Sequence, residues 1–143
     1  MNRLVGYNNR GYDNHIIHAR AYKGATLLKC FEMSDQIVHS KKGELISAKD
    51  PSAYSVSYTD IFDYSTVKQS LKKWEIQLHL PHEEFNGKWN EPLPEERWEE
   101  CAHYCTNDVL ATEAVWNATQ KDFKARCMIA ELAGMTPNDS TNT

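Results

Sequence analysis

The sequence predicts an α/β fold that is rich in helix and short of strands, the strands running parallel. Three observations carry that expectation. Residues 4–7 and 55–63 are short apolar, β-branched or aromatic runs, each followed by a helix-period segment, the order that builds parallel sheets. Helical stripes fill most of the chain from Leu71 to Gly134. Glycine, proline and capping residues fall between these runs and punctuate them.

Residues 4–7 read as a strand entering the turn-rich Asn8-Asn9-Arg10-Gly11. Asp13 opens a helix with Ile16, Ile17, Ala19 and Ala21 as its apolar positions and Gly24 as its stop. A second helix starts near Ala25, breaks near Ser34-Asp35 and terminates at Gly43. Residues 48–52 are a loop, because the residue before Pro51 is pushed out of the helical region. Residues 55–63 alternate and form the second strand. Ser70 caps a helix that runs through Trp74 and Ile76 towards Leu80, where Pro81 stops it.

Residues 82–93 are a loop. Pro94 then begins the longest helix, with Glu95 and Glu96 in the first turn, where the macrodipole favours anions. Its apolar stripe is Trp98, Cys101 or Ala102, Cys105, Val109, Thr112 and Trp116. A last amphipathic helix runs from Asp122 through Phe123, Ala125, Met128, Ile129 and Leu132 to Gly134. Residues 135–143 are a polar tail or linker, expected to be mobile. Two parallel strands alone make a poor sheet, since both faces and both edges want partners, so a neighbouring segment is expected on the N-terminal side.

An apolar fraction of 41% and a charged fraction of 25% fit a globular domain and exclude wholesale disorder. The net charge of −4 gives no global basic signature for nucleic acid. No apolar run reaches the ~20 residues that span a bilayer, and the N-terminus lacks a signal-peptide core, so no membrane partner and a cytoplasmic location are expected. The four cysteines form no C-x-x-C pair, which fits reduced thiols.

Chemistry concentrates at two places. Tyr104 and Asp108, four apart on the longest helix, set a phenol beside a carboxylate at the edge of the apolar stripe. Asp13 follows a strand and a tight turn. Two carboxylates and a phenol around a divalent metal can activate water for phosphodiester cleavage. Each also has a plainer meaning: an ordinary surface pair for Tyr104 and Asp108, a helix cap for Asp13, and a cap or turn for Asp60 at the second strand. A zinc site is disfavoured, since His15, His18, His79, His82 and the cysteines lack ligand spacing. Lys68, Lys72 and Lys73 read as a solvated face before a phosphate contact. Trp74, Trp98 and Trp116 read as core, leaving Trp89 as the tryptophan for base stacking.

Asn9-Arg10-Gly11-Tyr12-Asp13 resembles the second motif of the DEDD proofreading exonucleases, Asn-x-x-(Phe/Tyr)-Asp. Tyr104-Cys105-Thr106-Asn107-Asp108 resembles the third motif of their tyrosine-type branch, Tyr-x-x-x-Asp. Between them, Ser70-Leu71-Lys72-Lys73-Trp74-Glu75 is similar to the helix start that follows the central strand. The likeness runs from about Leu4 onward and is greatest to the 3′–5′ exonuclease region of bacteriophage family A DNA polymerases. It implies an RNase H-like fold and two magnesium or manganese ions held by four carboxylates. Asp13 and Asp108 would be metal ligands, Tyr104 would orient the attacking water, and Asn9 would support the substrate or the loop.

The implied substrate is a single-stranded DNA 3′ end, and the implied location is a bacterial host cytoplasm. The family's first motif, Asp-x-Glu, occurs nowhere in the chain. The resemblance therefore implies an N-terminally truncated exonuclease domain over 1–134, with little or no activity as an isolated chain. Its expected partners are the missing N-terminal exonuclease segment or a polymerase domain. The rival expectation is a non-catalytic module that pairs through an open sheet edge with itself, as a homo-oligomer, or with a separate N-terminal half.

Overall fold

The computed structural model describes residues 3–41, 43–88 and 91–141, so Trp89 lies outside the described residues. It is helix-rich, with two short parallel strands, β1 (Leu4–Gly6) and β2 (Tyr58–Asp60), paired in one sheet. The chain divides into two compact units, one of Met1–Leu4 with Asn8–Tyr58, the other of Val5–Tyr7 with Thr59–Thr143. Among the described residues no helix is long and apolar enough to cross a membrane.

In the first unit, Asn8 takes a left-handed conformation (φ 57°) and turns the chain into α1 (Asp13–Ile17), which widens into a π turn over His18–Tyr22. Gly24 (φ +65°) ends this segment, as expected. Thr26 caps α2 (Leu27–His39), its hydroxyl accepting from the Lys29 amide at 3.2 Å. The predicted break at Ser34-Asp35 does not occur. The Ser34 hydroxyl lies 2.6 Å from the Tyr12 hydroxyl, an external partner that leaves the helix's own ladder intact.

The second strand is shorter than the alternation suggested. Pro51–Ser55 winds as a 3₁₀ turn, with Asp50 accepting from the Ser52 amide at 2.8 Å. At the other end the Asp60 carboxylate accepts from the Phe62 amide at 3.0 Å and starts α3 (Ile61–Tyr64). Two Asp caps thus claim both flanks.

In the second unit, Ser70 caps α4 (Leu71–Gln77) as its position predicted. The 3₁₀ turn Glu95–Arg97 leads into α5 (Trp98–Ala118), followed by α6 (Gln120–Ala133), which Gly134 closes at φ +67°. The core is Ile61, Tyr64, Trp74 and Val115, with Val5, Tyr7, Leu71, Leu78, Trp116 and Phe123 against it. The Tyr64, Trp116 and Phe123 rings pack with centroids 4.9–6.2 Å apart. Arg126 donates to the Ser140 carbonyl at 2.8 Å, so residues up to 141 fold back as a short 3₁₀ turn rather than trailing from Gly134.

The inward face of α5 differs from the predicted stripe by about one residue. Ala111, Val115 and Thr119 are buried, in register with half-buried Tyr104 and Asp108, whereas Cys105 and Val109 are exposed. Trp98, expected in the core, is 49% exposed, its indole N–H donating to the Leu93 carbonyl at 3.1 Å. Met128, Ile129 and Leu132 of α6 also face outward, while Ala130 is buried.

Candidate functional site

The rotation of α5 turns Tyr104 and Asp108 towards α4 and the connection after it. There they line a cavity of about 320 Å³, together with Leu71, Lys72, Glu75, His82, Glu84 and Phe85. The Tyr104 phenol and the Asp108 carboxyl, one helical turn apart, both face this cavity. Burial raises the Asp108 carboxyl above its ordinary range, the Glu75 charge adds to that, and the neighbouring Tyr104 hydroxyl and His82 partly oppose it. Tyr104 is likewise raised, first by burial and then by the Asp108 charge.

Glu75 and His82 are functional candidates that motif spacing did not single out together. Glu75 is 3% exposed, and its carboxylate accepts from His82 Nδ1 at 2.6 Å. That bond is the main reason the imidazole is shifted towards its charged form. One signal was available in the sequence: Leu71, Trp74, Glu75 and Leu78 fall at i, i+3, i+4 and i+7, so the carboxylate occupies a core-facing position. The Phe85 and Tyr104 rings lie 5.9 Å apart, and the Arg97 guanidinium sits 4.7 Å over Phe85.

The second-motif residues belong to the first unit. Asn9 is buried, and its amide donates to Asn14 Oδ1 at 3.0 Å, so it braces the loop. Asp13 is the exposed first residue of α1, inside the first turn rather than at the cap, which is Tyr12. Asp60 is a helix cap in the second unit. The basic cluster divides: Lys68 bonds to the carbonyls at the end of α3, and Lys72 reaches the cavity.

Among the described residues, no three His, Cys, Asp or Glu side chains gather as a metal-binding group. Four carboxyls line the cavity, Glu75, Glu83, Glu84 and Asp108, the first three pairing with His82, His103 and Lys72 in turn; a two-metal centre needs carboxylates that converge on the ions. The fold and site define a helix-rich α/β protein with an acidic, aromatic-walled cavity. Compared with known proteins, the chain matches no family model, no curated protein and no solved structure.

Replacing Tyr104 with phenylalanine tests the geometry. The substitution removes the neighbouring hydroxyl that lowers Asp108 and leaves burial and Glu75 in place, so Asp108 should titrate at higher pH than in the native chain. Carboxyl ¹³C NMR reads this directly. An unchanged or lower titration midpoint would mean that the phenol does not lower Asp108.

Proposed function

We propose that this chain is the second- and third-motif part of a tyrosine-type DEDD 3′–5′ DNA exonuclease of RNase H-like architecture, working with first-motif carboxylates that are not in this sequence. The observation that carries the reading is the placement of Tyr104 and Asp108, one turn apart on α5, together at the wall of a cavity. A phenol held one turn before a half-buried carboxylate suits the orientation of an attacking water beside a metal ligand. In this reading Asp108 and Asp13 are magnesium or manganese ligands, Tyr104 positions the water, and Asn9 braces the loop that presents Asp13. The substrate is a single-stranded DNA 3′ end. With Asp-x-Glu absent, the chain alone is expected to release no nucleotides.

A two-stranded sheet also supports a second reading, in which the outer edge of β1 pairs with a strand from another copy or another polypeptide. One experiment separates the two. The pure chain is mixed with a strand-forming segment that carries Asp-x-Glu, manganese is added, and mononucleotide release from a single-stranded 3′ end is followed. The exonuclease reading expects release that disappears with Asp108→Ala. Stable association without Asp108-dependent release would favour the non-catalytic module.

A further inference from the structure

Lys72 and His82 line the same cavity, and one carboxylate engages both. Lys72 Nζ pairs with Glu84 Oε1, and His82 Nε2 lies 3.5 Å from that same oxygen. His82 is braced from behind, because its Nδ1 donates to the buried Glu75 at 2.6 Å. That bond fixes which nitrogen faces the cavity and favours a charged ring. Lys72 and Glu75 both come from α4, so one capped helix sets the position of Lys72 and His82. Glu84 differs. It comes from a segment outside any helix or strand and its side chain is 66% exposed, so the ion pairs it makes among the described residues are exposed ones.

We propose that Lys72 and His82 form a phosphate-binding subsite that Glu84 plugs in the free chain, and that a phosphodiester of single-stranded DNA displaces Glu84. A phosphate offers oxygens that accept from an imidazolium N–H and an ammonium together, as the Glu84 carboxylate does. Exchanging one anion for another also leaves the local charge nearly unchanged, which answers the difficulty that Glu75, Glu83 and Asp108 pose for an incoming anion. Phe85, beside Tyr104, supplies a ring face for a neighbouring base. The choice of DNA as the phosphate source rests on the exonuclease reading; the subsite itself rests on the contacts of Lys72, His82, Glu75 and Glu84.

The test titrates the full chain, without divalent metal, with an oligo-dT strand, thymidine monophosphate and inorganic phosphate. Affinity and the His82 imidazole ¹⁵N signals are followed. Glu84→Gln should tighten oligonucleotide binding about two- to fivefold, the scale of one exposed competing ion pair. Glu131→Gln changes net charge equally at an exposed position of α6 that does not line the cavity, and should leave the affinity as it was. Lys72→Gln and His82→Gln should weaken binding, and Lys72→Gln should reduce the salt slope of log Kd by about 0.7.

Equal tightening by Glu131→Gln and Glu84→Gln, or no tightening by Glu84→Gln, overturns the subsite. So does native affinity and salt slope in Lys72→Gln. Equal affinity for all three probes, with the mutational pattern retained, overturns DNA as the source and supports a free-phosphate subsite. No cleavage enters these measurements, so failure of the reconstituted nuclease leaves their outcome intact.

Discussion

Trp74→Ala should cost the second unit about 3–5 kcal/mol, the range for removing a large buried aromatic. Trp74 is 5% exposed and packs with Ile61, Tyr64 and Val115. Its indole N–H donates to the Tyr7 hydroxyl at 3.1 Å, and that hydroxyl donates to the Gln69 carbonyl. The substitution therefore leaves a void and removes one link of a chain that ties β1 to the turn before α4. Against the ~5–15 kcal/mol that stabilises an ordinary domain, this is a large fraction. Trp74→Phe keeps most of the ring and loses the N–H bond, a smaller loss of roughly 1 kcal/mol before packing changes. Urea unfolding followed by circular dichroism reads both without relying on the removed fluorophore. A loss under about 1 kcal/mol for the alanine variant would remove Trp74 from the centre of this core.

The neighbour of Trp74 gives that substitution a functional consequence. Glu75 is the next residue on α4, and it braces His82 at the cavity. Loss of the Trp74 anchor should loosen Glu75 with it.

The same helix shows what a sequence discloses and what it conceals. Ser70 as cap and Gly134 as terminator were legible because capping is local chemistry, settled within three or four residues. The Tyr104–Asp108 pair was legible for the same reason, since i and i+4 meet on any helix. The phase of α5 was not. Hydropathy placed Cys105 and Val109 inward, but the inward face carries Tyr104 and Asp108, polar groups that line a cavity with α4 and the connection after it. A stripe drawn from apolar residues misses a polar site on the buried side. Trp98 misled in the opposite direction: a large apolar residue whose N–H is met by the nearby Leu93 carbonyl can stay at the surface. The alternation over 55–63 was real, yet Asp50 and Asp60 caps at its flanks left three residues as strand.

Acid and alkali should weaken different halves of the chain. His15, in the first unit, is 1% exposed, and among the described residues neither ring nitrogen has a hydrogen-bond partner of normal geometry. Burial lowers its pKa below the ordinary 6.5, Lys49 adds to the effect, and Asp50 opposes it. The folded unit thus binds this proton less readily than the unfolded chain. The stability contribution is complete above pH 6.5 and is lost as pH falls from there through the folded pKa. Each tenfold difference in proton affinity between the folded and unfolded chain contributes about 1.4 kcal/mol.

His82, in the second unit, has the reverse sign. Its bond to Glu75 raises its pKa, so that contribution is complete below pH 6.5 and is lost as pH rises through the elevated value. Hydrogen exchange, expressed as opening free energies between about pH 5 and 8, the range in which histidines titrate, should show α1 and α2 loosening towards acid and α4 towards alkali. His15→Phe keeps an aromatic edge against Tyr54, whose ring centroid is 5.2 Å away, and should flatten the acid limb alone. His82→Gln should flatten the alkaline limb alone. Parallel pH dependence in all three helices would show that these two histidines do not set it.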